Sequence, residues 1–352
     1  MGGWQTGGDV FSNVNGVYGT WGHLTGIGDD PVGSAFGLGA DFIGFAQTFG
    51  SAAAPLFEAT KFAEAAATPI INAGLLALLG MGNLSGFGTP DEGQDFSSGA
   101  EAFQQIGETL ATTGAPDSWT GDGSEAYTDQ NGLQEVRAKS MQQLDKSVGD
   151  VLAKEAGQVN ETRQTIDYCS TTLTFAIPVA ISLNAIPGYG QAASLEFQAA
   201  AVALSVPVAA ARFLELTGQS AHNATIVRRA GAGYDRIGSE ADPDGPNGCG
   251  ELSVVSADLR QLSSQQGEVA TNIESAGMKT HETTQNVGFS HGGVCALTSA
   301  AVMSAVQSRG NAATMMQATS DVLSSRLDSS ASAYDDTDHQ QQGNIGRELR
   351  PR

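Results

Sequence analysis

Apolar residues recur at helical spacing through most of the chain after residue 90. The first set consists of Phe96, Phe103, Ile106 and Leu110. These positions lie three, four or seven residues apart, which places their side chains on one face of an α-helix. Gly114, followed by Ala115 and Pro116, is typical of a helix end. We therefore predict a helix from about residue 95 to residue 114.

A second and longer helix is predicted to begin near Ser124, with Asp122 or Ser124 as its N-cap. Its apolar stripe consists of Met141, Leu144, Val148, Val151, Leu152, Val159, Ile166 and Leu173. The two helices form a predicted hairpin about Trp119. We expect Pro178 and the turn at 184–190 to kink and end the second helix, and another helix to run from about Ala192 to Ala230.

A second hairpin follows a Gly- and Pro-rich stretch at 238–250, which we interpret as a linker. Its first helix carries a heptad pattern made of Leu252, Val255, Leu259, Leu262, Gln266, Val269, Ile273 and Ala276. This spacing is typical of a helix that packs along a partner helix. After a break at 286–294, a second helix is predicted from about Cys295 to Tyr334, with Met316, Leu323 and Leu327 on its stripe. The polar segment 339–352 is predicted to be a disordered tail.

Each hairpin exposes an apolar stripe that it cannot bury by itself, and mutual packing would cover both stripes. We therefore predict an all-α protein in which two hairpins, within 91–237 and 251–338, pack as an elongated four-helix bundle. Residues 1–90 are rich in Gly and Ala and are predicted to form only weak helices, because each Gly costs helix stability.

Composition narrows the classes of partner. The chain has 17 Lys and Arg against 38 Asp and Glu, a net charge of −21, so its surface repels nucleic acid. The window 192–214 has the length of a membrane span, but it contains Glu196 and Arg212, and much of it is alanine rather than leucine or isoleucine. A buried helix is the favoured interpretation of this window. The first residues lack the basic and apolar regions of a secretory signal peptide, so we expect no such signal.

Candidate chemistry is sparse. The five histidines lie in separate segments without metal-ligand spacing, and we expect them in surface or turn positions. No nucleophile or phosphate-binding motif is recognisable. We therefore predict no metal, no cofactor and no enzymatic activity. The odd number of cysteines leaves open whether any of Cys169, Cys249 and Cys295 forms a disulfide.

Three segments of the first hairpin resemble the EspA/EspE family of ESX secretion-associated proteins. Trp119 and Gly121 form a W-x-G tripeptide within "WTGDGSEAY", at the turn between the two helices. The segments "ETRQTID" and "FAIPVAISLNAIPGYGQAASLEFQ", the latter at 175–198, are similar to two further blocks of that family. The resemblance covers about residues 91–230.

The second hairpin resembles another family, EspC, through "SHGGVCALT" at 290–298 and "AYDDTD" at 333–338. Tyr334 and Asp338 form the Y-x-x-x-D pattern, which the resemblance identifies as a type VII export signal. EspA-like and EspC-like parts are usually separate chains, whereas here they are joined.

The resemblance implies a virulence-associated substrate or accessory protein of a type VII (ESX) system, secreted or held at the cell surface. Its expected partners are the secretion machinery, through an ATPase or chaperone, other ESX-secreted proteins, and further copies of itself. The alternative is a membrane-active protein that inserts the apolar segments 68–82 and 175–214 into lipid. Membrane contact therefore stays open at this point.

Overall fold

The structure is a computed structural model that describes residues 67–241 and 255–348 of the 352-residue chain. Every regular element in these ranges is helical. The α-helices are α1 (Pro69–Leu84), α2 (Gln94–Thr112), α3 (Asp122–Asn184), α4 (Gly190–Glu240), α5 (Ser256–Met278), α6 (Thr283–His291) and α7 (Ala296–Glu348), and a short 3₁₀ turn spans Gly293–Cys295. The prediction of an all-α helical bundle is confirmed.

The chain divides into two compact units. We call the unit made of the described residues within Met1–Pro90, Gly157–Ser220 and Phe289–Cys295 the hairpin unit, and the unit made of those within Asp91–Ala156, Ala221–Gly288 and Ala296–Arg352 the bundle unit. The helices α3 and α4 are long enough to contribute to both.

The core of the bundle unit combines residues from both predicted hairpins. The first hairpin contributes Phe96, Phe103, Ile106 and Leu110 from α2 and Met141, Val148 and Leu152 from α3. The second contributes Val269 and Ile273 from α5 and Val302, Ala305 and Met316 from α7. The C-terminal part of α4 adds Val227, Tyr234 and Ile237. Thus the stripes identified from spacing meet in one core, since burial of apolar area stabilises this arrangement over separate hairpins.

In the hairpin unit, α1 packs against the C-terminal part of α3 and the N-terminal part of α4. Pro69 occupies the first turn of α1, where its missing N–H costs no hydrogen bond. The core consists mainly of Ile70, Ile71, Leu78, Ile166, Leu173, Val202 and Val206. The Gly74 site permits this packing, because a Cβ there would lie 3.0 Å from Val202 and 3.1 Å from Leu173.

Two glycines bring separate segments of the hairpin unit into backbone contact. Gly86 and Gly292 have positive φ angles of 82° and 74°, which residues with a Cβ rarely adopt. A Cβ on Gly292 would lie 2.1 Å from the backbone nitrogen of Gly86. Arg163 fixes the same region, because its Nη2 donates to the carbonyl of Ser85 at 2.8 Å and its guanidinium also bonds the carbonyls of Gly88 and Ser290. Gly292 of the "SHGGV" segment is therefore required by packing.

Several element boundaries differ from the predictions. The helix α3 continues through Pro178 but ends at Asn184, where the predicted turn at 184–190 begins. The helix α4 extends to Glu240 rather than Ala230. The predicted disordered tail at 339–352 is wrong for residues 339–348, which continue α7, because polar residues such as glutamine are good helix formers when a helix already precedes them. His291 is buried rather than at the surface.

Some predictions fall on residues outside the described ranges. These include the weak helices before residue 67, the linker residues 242–250 with Cys249, and Leu252. Cys169 and Cys295 are buried and no disulfide joins them. Burial raises the pKa of the Cys169 thiol, which keeps it protonated and unreactive.

Candidate functional site

The W-x-G turn between α2 and α3 buries its tryptophan. The backbone N–H of Trp119 donates to the carbonyl of Pro116 at 2.9 Å, which closes the turn. Gly121 has a φ of 108° and directly precedes α3, so the chain reverses at a position that favours glycine. The indole of Trp119 is only 8% exposed.

The Trp119 ring belongs to a small apolar cluster in the bundle unit, which we call the Trp119 cluster. Its buried members are Trp119, Tyr127, Leu259, Leu262, Leu327 and Ala331, with Ala115 and Tyr334 packed against them. The rings of Trp119 and Tyr127 lie 5.5 Å apart at 36°, a favourable tilted arrangement. The cluster therefore joins the turn before α3 to one end of α5 and to α7.

Hydrogen bonds reinforce this cluster. The hydroxyl of Tyr127 donates to the carbonyl of Thr113 at 2.8 Å and accepts a bond from Nε2 of Gln266 at 3.1 Å. The same Nε2 atom lies 2.9 Å from Oδ1 of Asn131. Ser118 donates to Asp258 at 2.6 Å. Gln266, the polar member of the heptad, thus satisfies groups on α3, and a polar group at such a position favours one register of packing.

Burial raises the pKa of Tyr127 from its ordinary value of 10.0 to about 12, and the hydrogen bond from Gln266 partly offsets the rise. The folded state therefore favours the neutral phenol. Its contribution to stability is complete below pH 10 and is lost as the pH rises towards 12.

We expect Tyr127→Phe to reduce the loss of stability between pH 10 and pH 12. A rise in pKa from 10 to about 12 corresponds to at most about 2.7 kcal/mol. Between these pH values the free energy of unfolding of the wild type should therefore fall by up to that much more than the free energy of unfolding of the variant. Urea denaturation at a series of pH values measures the difference. Tyr168→Phe, at an exposed tyrosine, is the matched control, and equal pH dependence of wild type and Tyr127→Phe would contradict the assignment.

The second sequence-predicted pair lies on α7. Tyr334 is half-buried against the Trp119 cluster, and Asp338 is exposed one turn further along the helix. A neighbouring carboxylate, missed by the sequence analysis, makes the contacts to α5. Asp335 accepts a hydrogen bond from Ser256 at 2.5 Å and pairs with Arg260. The pKa of Asp335 is lowered most by the hydrogen bond from Ser256 and next by the hydrogen bond from Arg260.

A buried ion pair in the bundle unit also escaped the sequence analysis. Nε and Nη2 of Arg309 each donate to Asp145 at 2.7 Å, and both side chains are fully buried. The hydroxyl of Tyr234 donates to the same carboxylate at 2.7 Å. A signal was present, because Asp145 and Arg309 occupy stripe positions between buried apolar residues of α3 and α7. A charged residue on an apolar stripe indicates a buried partner of opposite charge.

Comparison with known families finds one match in each of the two predicted hairpins. Residues 85–168 match the EspA/EspE family. Residues 249–347 match the family described as excreted virulence factor EspC of the type VII ESX system of diderms. The two matches contain Trp119 and Tyr334 respectively. No solved structure matches the chain.

Individual relatives support both matches. The ESX-1 secretion-associated protein EspE of Mycolicibacterium smegmatis is 31% identical over 182 residues, which cover 52% of this chain and 35% of that protein. EspA of Mycobacterium tuberculosis is 30% identical over 156 residues, covering 44% of this chain and 40% of that protein. An uncharacterized EspC-like protein of M. smegmatis is 31% identical over 102 residues, which are 29% of this chain but 97% of that protein. This chain therefore spans well under two thirds of the EspE and EspA relatives and nearly all of the EspC-like one.

Proposed function

Because the chain is an EspA/EspE-like protein fused to a segment that belongs to the EspC family, we propose that it is a substrate or accessory protein of a type VII (ESX) secretion system. It is exported as a folded helical bundle that carries its own partner. It then acts outside the cell or at the cell surface by assembling with itself or with other exported proteins.

The observation that carries this proposal is the composition of the Trp119 cluster. It includes Trp119 from the EspA/EspE-like segment and Tyr334 from the EspC-like segment. The two residues are more than 200 positions apart in the sequence, so only a folded chain presents them together. A secretion receptor that reads Tyr334 in the position where the Trp119 cluster holds it would accept the folded bundle and reject the unfolded chain.

Self-partnering is supported by the single core of the bundle unit. Residues of α2 and α3 share this core with residues of α5 and α7. In the fused chain the covalent linker holds the two segments at an effective concentration on the order of millimolar. The EspC-like segment thus occupies the place that a separate small partner chain would take.

The receptor contact is proposed to involve Tyr334 and Asp338. Residues four apart in a helix lie on the same side, so a ring edge and a carboxylate are presented together. Asp335 faces α5, where Arg260 and Ser256 bind it, and it therefore fixes α7 against the beginning of α5 instead of contacting the receptor. An ATPase or chaperone of the secretion system is the expected reader.

We expect Tyr334→Ala and Asp338→Ala to lower export at least about tenfold, the effect of losing about 1.4 kcal/mol of recognition energy. Asp336→Ala is the matched control, because Asp336 is an exposed carboxylate of the same helix but lies off this side. The amount of protein in culture filtrate relative to cell pellet measures export. Melting curves verify that Asp338→Ala remains folded, and normal export of this variant would overturn the signal assignment.

A further inference from the structure

The hairpin unit exposes large apolar side chains on α3 and α4. Tyr168 and Phe175 of α3 are 76% and 75% exposed, and Val179 follows one turn later. Their spacing of seven and four residues places them on one helix face. On α4, Leu204 is 77% exposed and Val208 lies one turn beyond it. Isolated exposed apolar residues are ordinary. These residues, however, recur along both helices of the α3–α4 hairpin, which the end of α3 and the beginning of α4 form.

This hairpin is also nearly free of charge. Residues 168–195 contain no Asp, Glu, Lys or Arg, and neither do residues 197–211. Glu196 is therefore the one ionisable carboxylate in 44 residues. At the chain's overall 16% of charged residues, about seven would be expected. In a chain with a net charge of −21, this depletion marks a surface that does not face water in the working state of the protein.

Several polar groups of the hairpin are satisfied internally. The hydroxyls of Thr172, Thr174 and Ser182, all exposed, donate to the carbonyls four residues earlier at 2.8–2.9 Å. In the turn, the backbone N–H groups of Ala185 and Gly190 donate to the carbonyls of Ile181 and Ile186 at 3.2 and 3.1 Å. Internal hydrogen bonds of this kind are the condition for entering hydrocarbon, where no water is present to replace them.

We propose that residues 168–211, the end of α3 and the beginning of α4, insert into the hydrocarbon of a lipid bilayer with zwitterionic headgroups. The arm 168–184 spans about 25 Å at 1.5 Å per residue, close to the ~30 Å thickness of the hydrocarbon layer. Both α3 and α4 contain 18-residue windows long and apolar enough to cross a membrane, of mean hydropathy 1.3 and 1.6, and only 28% and 39% of these windows is buried.

The buried stripe of α1 is not part of this surface. Ile70, Ile71 and Leu78 face the core of the hairpin unit, so the apolar stripe of α1 is already covered by α3 and α4. Lipid contact therefore belongs to the α3–α4 hairpin, and α1 supports the hairpin from its inner side.

A bilayer suits this surface better than a protein partner does. Stable protein interfaces form about one hydrogen bond per 100–200 Å², whereas the exposed hydroxyls described above already donate within their own helix. Zwitterionic lipid suits it better than anionic lipid, because the net charge of −21 is repelled by a negative membrane surface.

Flotation of the purified full-length protein with phosphatidylcholine vesicles tests the proposal. The wild type is expected to float with the vesicles, and Leu204→Glu or Phe175→Glu to reduce the partition coefficient on the order of a hundredfold, because a carboxylate is costly in the bilayer centre. Glu196→Gln should bind more strongly than wild type. Val136→Glu, at a 60% exposed position of the bundle unit, is the matched control and should float like wild type.

Three results would overturn the proposal. The first is a wild type that stays with the unbound fraction, and the second is a Leu204→Glu variant that floats as well as wild type. The third is a wild type that does not float but self-associates without vesicles, as seen by analytical ultracentrifugation, and a Leu204→Glu variant that no longer self-associates. This result would assign the surface to a second copy of the chain. The assay uses purified protein and is therefore independent of whether export depends on Tyr334 and Asp338.

Discussion

Replacing Asp145 with alanine is expected to lower the free energy of unfolding by about 3–5 kcal/mol, the range found when one partner of a buried ion pair is removed. The variant would leave Arg309 as a cation in the apolar core of the bundle unit, where the side chain is fully buried. Water cannot reach the guanidinium to compensate for the lost carboxylate. Urea denaturation followed by circular dichroism measures the change.

The size of this effect follows from how many groups Arg309 orders. Besides binding Asp145, its nitrogens donate to the carbonyls of Ala276 and Gly277 at 3.0 Å and to the hydroxyl of Thr280 at 3.3 Å. Its guanidinium carbon lies 5.3 Å from the centre of the Phe103 ring, within the range of a cation–π interaction. One side chain therefore connects α2, α3 and the end of α5.

Two variants make the test specific. Lys139→Ala removes the partner of Glu135 in an exposed pair, and such pairs contribute at most about 1 kcal/mol. The double variant Asp145→Leu with Arg309→Met removes both charges together, and replacement of a buried pair by apolar residues is often neutral. We expect it to recover most of the stability. A double variant less stable than Asp145→Ala would contradict the charge explanation and indicate loss of shape complementarity instead.

Trp119→Ala is expected to cost about 2–4 kcal/mol, because it leaves a cavity in the Trp119 cluster. The lost contacts include the Tyr127 ring and the side chains of Leu259 and Leu327. Trp119→Phe should cost much less. The indole Nε1 atom is buried and makes no hydrogen bond to the described residues. Replacing the indole with a phenyl ring therefore loses no hydrogen bond to them.

Thermal melting of both variants checks this expectation. Phe175→Ala is the control, because it removes an aromatic ring that is 75% exposed and therefore leaves no cavity. Its melting temperature should be close to that of the wild type. Equal melting temperatures for Trp119→Ala and wild type would contradict a structural role for the buried ring. Export of Trp119→Phe, which keeps the cluster packed, then separates packing from recognition of the indole.

Local spacing was sufficient to identify the helices and their buried faces. Phe96, Phe103, Ile106 and Leu110 all lie in the core, because the helical period of 3.6 residues alone decides which side chains share a face. Fold class follows from the same cause, and the motifs around Trp119 and Tyr334 were visible without coordinates. The families that these motifs resemble are the ones that residues 85–168 and 249–347 match.

Element ends were less predictable, since a local stop signal competes with packing around it. Pro178 removes one backbone hydrogen bond and would end an isolated helix. In the hairpin unit, however, α3 continues past it, and Ala176 and Ala180 on either side are buried. Packing of the flanking residues offsets the cost of the proline.

The partners of the buried polar residues were decided by the tertiary structure. Asp145 and Arg309 are 164 residues apart, and Gln266 and Asn131 are 135 apart. The spacing of each residue shows that it lies on an apolar stripe, but it carries no information about which helix faces that stripe. The sequence by itself determined helices, faces and family motifs, because these depend on residues within a few turns of one another. Only the tertiary structure decided which buried polar or charged side chains pair with each other, because the pairing depends on the path of the backbone between them.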